Sequence, residues 1–315
     1  MKWTLLIFIS LFFVLPKTAT AQQPQYEVQF FNKDWKKAGA RKAFYYCYLS
    51  KFKNSWHRLD YSMADRRCIA EGNYLDAACT VKHGLCQTLY ENGRTKDSSY
   101  YFNNQRDGVS AGWHFSGNRR YYYEYKNGML KDTGANWYED GKLEERILLD
   151  KDGNGTVTGY YPNGQQRNIG KMKVGKKEGE WVFTDEDKII SQKIKYVQDS
   201  ATTIVNYDEK GVETRQGLAD RPATFDGGME GWEQYLKANL KYPSKSQRKQ
   251  VQGVAIIALT IDKTGKLTDV HTVYAPDELT GKEALRVVQG SPVWLPAISH
   301  NRYVEFRTMQ RINFL

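Results

Sequence analysis

The sequence lacks the short motifs that mark common enzyme active sites. Its five histidines show no HExxH spacing, no GxSxG elbow is recognised, and no phosphate-binding GxxxxGK or GxGxxG follows a predicted strand. CxxC spacing is also absent, and with it the usual pattern of a zinc site. We therefore expect a non-enzymatic protein with no metal, no cofactor and no small-molecule substrate.

Long hydrophobic runs are lacking after the first residues. Lys2 is followed by an apolar run of about 11 residues, Leu5 to Leu15, and then by the small residues Ala19-Thr20-Ala21. This pattern predicts a secretory signal peptide over residues 1–21 that is cleaved before Gln22. An uncleaved anchor is the alternative, but a spanning helix needs roughly 20 apolar residues. We expect an exported protein of the periplasm or cell envelope.

Acidic residues are fewer than basic ones, with 36 Asp and Glu against 46 Lys and Arg and a net charge of +10. Such a surface attracts anionic partners, so an anionic envelope component is a candidate partner. Nucleic acid is not expected, because the basic residues are scattered rather than striped and export separates the chain from it.

Cysteine is scarce and confined to the N-terminal part of the chain. Oxidising conditions outside the cytoplasm favour disulfides, and four cysteines allow three pairings. Cys79 and Cys86 flank a predicted hairpin turn, so a bridge between them is one possibility, and a bridge between Cys68 and Cys79 is another. The possible disulfide residues are Cys47, Cys68, Cys79 and Cys86.

The middle of the chain is repetitive, with copies 24, 24 and 23 residues apart that begin at Leu89, Trp113, Trp137 and Tyr160. Each copy joins bulky residues, mostly aromatic, to Asn-Gly, Asp-Gly or Ser-Gly, which tolerate positive φ and indicate a hairpin turn. Degenerate copies at Trp181 and Val205 lack the glycine in place. One hairpin cannot bury its aromatic face, so we expect the hairpins to stack and the rings to pack between them.

These copies resemble the MORN-type repeats of exported bacterial proteins. The resemblance runs from about Tyr45 to Val212 and is clearest between Leu89 and Gly179. It implies a long, twisted, antiparallel sheet that serves as a spacer or docking surface and carries no chemistry of its own.

A different pattern begins after Ala219. Apolar residues from Met229 to Leu240 at positions i, i+3, i+7 and i+11 predict a helix. Strands are predicted from Gly253 to Ile261 and from Leu267 to Ala275, a second helix from Leu279 to Gln289, and a half-buried strand from Val304 to Phe314. This order predicts an α+β layer.

The residues of this region resemble the TonB C-terminal domain family over about 90 positions. The matching segments, in order, are Gly227-Gly228, Leu240-Lys241-Tyr242-Pro243, Val251-Gln252-Gly253, Asp262-Lys263-Thr264-Gly265, Glu283-Ala284-Leu285, Pro292-Val293-Trp294, Pro296 and Ile312-Asn313-Phe314. Ala297 and Arg311 replace a glycine and a proline that are usual in the family, and 8 Pro are too few for the proline-rich linker of its energy transducers.

The resemblance implies a partner and a site. In the family the last strand is a free sheet edge to which peptides of outer-membrane transporters add as an extra strand. Tyr242-Pro243 has a second interpretation, as a helix stop with a packed ring. The implied partner-binding residues are Tyr242, Pro243, Val304, Phe306, Thr308, Ile312 and Phe314.

Together these patterns predict a mainly β protein, in which an antiparallel repeat sheet of stacked hairpins precedes a C-terminal α+β TonB-like domain. The predicted segments are a signal peptide (1–21), a cysteine-containing β region (22–85), the hairpin repeats (86–215) and the TonB-like domain (216–315). The expected function is binding of outer-membrane transporters in energised transport. The alternative is an envelope adaptor that transduces no energy.

The signal peptide can be tested by intact-mass spectrometry of the protein purified from its native envelope. We expect a mature chain that begins at Gln22, because the small residues Ala19 and Ala21 form the cleavage site. The same sample measured before and after reduction reports any disulfide. A membrane-embedded chain that retains residues 1–21 would contradict the prediction.

Overall fold

A computed structural model describes residues 26–314. Within them, the first part is one antiparallel sheet of 16 strands, ordered in space as in the sequence. The predicted signal peptide lies outside the described residues. A short 3-10 turn, Ala40–Lys42, follows the first strand. The strands are β1 (Tyr26–Phe31), β2 (Tyr45–Phe52), β3 (Ser55–Ser62), β4 (Cys68–Tyr74), β5 (Lys82–Leu89), β6 (Thr95–Phe102), β7 (Gln105–Trp113), β8 (Arg119–Lys126), β9 (Met129–Trp137), β10 (Leu143–Leu149), β11 (Gly155–Tyr160), β12 (Gln166–Lys173), β13 (Lys176–Thr184), β14 (Ile190–Val197), β15 (Ser200–Tyr207) and β16 (Glu213–Thr214).

This sheet confirms the predicted mainly β architecture of antiparallel hairpins. It also differs from the predicted segments, because the boundary placed between residues 85 and 86 falls inside β5. The cysteine-containing region and the repeats therefore share one continuous hydrogen-bonded ladder.

One long edge of the sheet is built from six turns of the same type. In each turn, the N–H of the first residue donates to the carbonyl of the residue four positions later. The carbonyl of the first residue accepts the N–H of the residue three positions later. We call this edge the turn ledge; it consists of residues 90–94, 114–118, 138–142, 161–165, 185–189 and 208–212. The 23- or 24-residue spacing of the sequence is thus the spacing of the ledge turns.

The last two ledge turns depart from the sequence interpretation. They begin at Asp185 and Asp208, and the sixth turn retains a glycine, Gly211, with φ 78°. In the fifth turn Lys188 takes the glycine's place at φ 65°. A side chain in this left-handed region carries a conformational cost, which the surrounding ladder offsets.

Aromatic rings lie across glycines of neighbouring strands. A Cβ atom at Gly170 would lie 2.0 Å from the ring of Trp181, and one at Gly112 would lie 2.2 Å from the ring of Tyr121. The bare backbone at these positions gives the rings a flat surface to cover. Trp181 is buried there beside Phe183 and Ile194, as the packing interpretation of the aromatic residues predicts.

A ladder of side-chain hydrogen bonds joins successive ledge turns. The first side chain of a turn donates to a backbone carbonyl that immediately precedes the next turn, at 2.8 Å in each case. For the histidine, this bond requires the proton to be on Nε2. The pairs are Tyr90 with Trp113, His114 with Trp137, Tyr138 with Tyr160, and Tyr161 with Thr184. The ladder is why a bulky polar ring recurs at this position.

The C-terminal part confirms the predicted α+β layer. Two helices cover one face of a three-stranded antiparallel sheet with the order β18-β17-β21, and a small hairpin, β19–β20, stands beside it. The sequence did not predict α2 or this hairpin. The elements are α1 (Gly228–Asn239), α2 (Ser244–Arg248), β17 (Gly253–Ile261), β18 (Leu267–Tyr274), α3 (Glu278–Gln289), β19 (Ala297–Ser299), β20 (Arg302–Val304) and β21 (Phe306–Phe314).

The core of this domain lies between the sheet and the helices. It contains Trp232 of α1, Val287 of α3 and Ile257 of β17, all buried. Asp277 caps α3 by accepting the backbone N–H of Thr280 at 2.8 Å, in a capping box with the Thr280 side chain. These contacts fix the helix-covered face of the sheet.

The inter-turn ladder predicts the effect of removing one hydroxyl group. Tyr138→Phe keeps the ring but leaves the carbonyl of Tyr160 without its donor, so the free energy of unfolding should fall by about 1 kcal/mol. Tyr100→Phe is the matched control, because Tyr100 is 48% exposed and its hydroxyl makes no bond within residues 26–314. Urea unfolding followed by tryptophan fluorescence measures both. Equal stability of the two variants would contradict the role of the ladder.

Candidate partner-binding site

Strand β21 forms an edge of the C-terminal sheet. All nine of its residues pair in unbroken register with β17, from Phe306 opposite Ile261 to Phe314 opposite Gly253. Among residues 26–314, no backbone hydrogen bond joins β21 to another element. One side of the strand therefore presents a row of unpaired N–H and C=O groups, which is a template for a further strand.

The predicted site residues on β21 lie on one face of the strand and differ in burial. Ile312 and Phe314 are buried in the core, at 0% and 1% exposure, and Phe306 packs against the same core. Their side chains hold the strand in place, so an added strand would contact these residues through their backbone N–H and C=O groups. Thr308 lines a cavity beside the strand.

Val304 lies outside the edge strand, which the sequence analysis began at this residue. Val304 belongs to β20 and pairs with Ala297. The strand is interrupted at Glu305, and β21 begins at Phe306. The alternation of side chains continues through this break, which is why periodicity alone did not locate it.

Tyr242 and Pro243 lie at the far end of β21. The Tyr242 hydroxyl donates to the carbonyl of Val251, and its ring packs edge-on against Phe314 at 5.4 Å. Pro243 precedes α2, and its carbonyl accepts the N–H of Gln247 at 2.9 Å. Both residues therefore have a packing role at the end of the edge strand, and contact with a partner remains a prediction.

The four cysteines are free thiols spread over three strands and one loop. Cys47 is buried in β2, Cys68 and Cys86 lie in β4 and β5, and Cys79 lies in the loop between them. Burial raises the pKa of Cys79 to about 11, so this thiol is a weak nucleophile at neutral pH. Disulfide formation stays a prediction.

Contrary to the expectation from the sequence, the chain contains one GxSxG match, Gly108 to Gly112. It lies within strand β7, whereas a nucleophile elbow joins a strand to a helix. Its serine, Ser110, is 1% exposed and bonds to the hydroxyl of Ser99 at 2.6 Å. The segment therefore has a structural role. Among residues 26–314, no group of three or more His, Cys, Asp or Glu side chains is placed to hold a metal ion.

The β19–β20 hairpin fixes the C-terminal domain to the repeat sheet. Its turn residues, His300 and Asn301, both have positive φ. Asn301 donates through Nδ2 to the carbonyl of Tyr207 at 2.9 Å, and the His300 ring stacks on Phe183 with centroids 3.6 Å apart. No local pattern predicts this contact, because Asn301 and Tyr207 are 94 residues apart in the chain.

Arg302 is the main polar anchor of this contact. Its guanidinium lies 3.2 Å from the carboxylate of Asp185 and donates to the carbonyls of Tyr207 and Asp208, at 2.8 and 2.6 Å. Both charged side chains are largely buried, at 12% and 17% exposure. Such a paired and fully bonded buried charge fixes geometry strongly, since removing one partner leaves the other unpaired.

The C-terminal sheet touches the turn ledge at both ends and spans its middle. At one end Arg311 pairs with Glu91, and Tyr274 packs on Phe115 with centroids 6.1 Å apart. Toward the other end Lys263 pairs with Glu186 at 2.6 Å. Between these contacts lies a cavity of about 1400 Å³, which we call the ledge groove, bounded by the ledge turns on one side and by β17, β18, β20 and β21 on the other.

Comparison with known proteins identifies the domain that carries this edge. Residues 238–315 match the family model described as Gram-negative bacterial TonB protein C-terminal. The C-terminal part is therefore a TonB-type domain, as the resemblance implied. The long sheet of stacked hairpins is compatible with repeats, and its MORN assignment stays a prediction. No curated protein matches the chain.

No helix within the described residues is long and apolar enough to cross a membrane.

The contact between His300 and Phe183 predicts a pH-dependent stability. Burial lowers the pKa of His300 from 6.5 to about 4, with Asp220 opposing the shift and Arg167 and Lys177 adding to it. The unfolded chain thus binds more protons than the folded one between these values. The stability contribution of neutral His300 is therefore present at pH 7 and is lost as the pH falls from about 6.5 toward 4.

The expected loss between pH 7 and pH 5 is about 1 to 2 kcal/mol in the free energy of unfolding. His300→Asn is the test variant, because asparagine tolerates positive φ and does not titrate in this range. Its stability should depend less on pH over this interval than that of the wild type. Identical pH dependence of the two proteins, measured by urea unfolding, would show that His300 is not the responsible group.

Proposed function

We propose that this protein is an exported, non-enzymatic binding protein of the Gram-negative envelope. Its C-terminal domain takes up a segment of an outer-membrane transporter as a fourth strand on β21, in association with energised transport across the outer membrane. The observation that carries the proposal is the unpaired outer side of β21 in a domain that matches the TonB C-terminal family.

Strand addition fits the way β21 is held. Ile312 and Phe314 are buried and Phe306 packs on the same core, so the strand keeps its extended form without a partner. A preformed edge lowers the entropic cost of ordering, which falls on the incoming segment alone. The backbone groups supply most of the affinity.

The repeat sheet supports this function by fixing the orientation of the edge. The hairpin contact through Arg302 and the pair of Arg311 with Glu91 hold β21 beside the turn ledge. A partner therefore meets the edge strand and the ledge together.

A second function is an envelope adaptor that grips a peptide but transduces no energy. The docking of the C-terminal domain on a rigid sheet favours this alternative, because the length that the family's transducers give to a proline-rich linker is here spent on repeats. The two functions differ in one respect: transporter-dependent uptake should require the proton gradient only in the first.

Strand addition can be tested with prolines at two successive positions, Thr308→Pro and Met309→Pro. Successive residues of an antiparallel strand direct their N–H groups to opposite sides. One variant therefore removes a bond to β17 and destabilises the domain, whereas the other removes only an outward donor. The variant that keeps wild-type stability should bind a transporter-derived peptide at least about tenfold more weakly, as measured by fluorescence anisotropy.

The stable proline variant decides the outcome. Unchanged affinity in a folded variant would mean that the peptide binds elsewhere. Thermal unfolding of both variants identifies the stable one before any binding is measured.

A further inference from the structure

The ledge groove is acidic although the protein is basic. Ten Asp and Glu side chains line it against five of Lys and Arg, whereas the whole chain carries a net charge of +10. The groove therefore has the opposite sign to the rest of the protein, and its field favours cations. A volume of about 1400 Å³ exceeds that of most small-molecule pockets, which suits an extended peptide.

Several of these carboxylates have no partner of their own. Asp185 is held by Arg302 and Glu186 by Lys263. Within residues 26–314, the side chains of Glu139, Asp187 and Glu209 make no hydrogen bond and no ion pair. Their charge is available to a ligand in the groove.

The geometry of β21 shows which side of an added strand would meet this charge. Phe306, Ile312 and Phe314 point to the helix-covered core. The side chains of the opposite face turn toward the ledge, since Arg311 pairs with Glu91 and Arg307 lines the groove. An added strand continues the same pleat, so every second side chain faces the ledge.

We infer that the ledge groove selects strand-adding segments that carry Lys or Arg at alternate positions. This inference rests on the proposed strand addition and names the chemistry of the partner segment. Tyr138 and Tyr161 also line the groove, and their rings offer packing surface for the aliphatic stems of Lys and Arg. The repeat sheet thereby supplies specificity, while β21 supplies backbone pairing.

The test uses three nine-residue peptides that match the length of β21 and alternate Val with Lys, Ser or Glu. In fluorescence anisotropy at low salt, the Lys peptide should bind most tightly, the Ser peptide less tightly and the Glu peptide most weakly. This order is opposite to that expected from the net charge of the protein. The advantage of the Lys peptide should shrink as salt rises, because exposed charges are screened.

Substitution of groove carboxylates tests whether the preference for the Lys peptide arises in the ledge groove. Glu139→Gln together with Asp187→Asn should weaken binding of the Lys peptide by about two- to fivefold per carboxylate removed, and leave the Ser peptide unchanged. Asp152→Asn is the matched control, because this exposed residue lies in a turn on the opposite edge of the sheet. It should leave the affinity for all three peptides unchanged.

Each outcome has a distinct meaning. If none of the peptides binds, the proposed strand addition fails. If all three bind equally, strand addition stands and the charge selection is wrong. If Asp152→Asn weakens the Lys peptide as much as the groove variant does, the attraction is nonspecific and the ledge groove does not select the partner.

Discussion

The hydrogen bonds from the first side chains of four ledge turns to the carbonyls before the next turns constrain the rest of the structure. They hold the first five hairpins at one offset, and the sixth turn continues the same edge. A hairpin alone is marginally stable, and each copy needs a neighbour to cover its rings. The same bond that stacks the copies thus aligns the surface on which the C-terminal domain rests.

The C-terminal domain uses this surface to protect a face that would otherwise be exposed. Strand β17 is buried along most of its length, although the helices cover only one side of its sheet. Ile256 and Ala258 alternate with the core residues Ile257 and Leu259, and are buried on the side away from the helices. The domain therefore remains open at the edge of β21 while its second face is covered.

Local signals predicted most of the architecture. The Asn-Gly, Ser-Gly and Asp-Gly pairs located the first four ledge turns, and the pattern of Met229 to Leu240 located the first helix within a residue or two. The apolar run Gly253 to Ile261 coincides with β17, and its continuous hydrophobicity is typical of a strand buried on both faces. What covers the second face could not be predicted, because the ledge lies far away in sequence.

The candidate site was predicted only in part, for the same physical reason. The edge strand followed from alternation and family resemblance, but Val304 was assigned to it because the break at Glu305 does not disturb the alternation. Lys188 takes up positive φ without being a turn former, so its turn was misplaced by a few residues. The contacts of His300 and Arg302 join distant parts of the chain and leave no local signal.

The C-terminal domain contacts the repeat sheet at two separated points, so the distance between these points must match the size of the domain. Glu91 and Glu186 belong to the first and fifth ledge turns, and the C-terminal domain contacts both. Each additional copy would insert two strands and increase the distance between these points by about 10 Å. A change of side-chain rotamer could not span this increase. The number of copies between these points is therefore set by the size of the C-terminal domain, whereas a copy added before β5 would leave this distance unchanged.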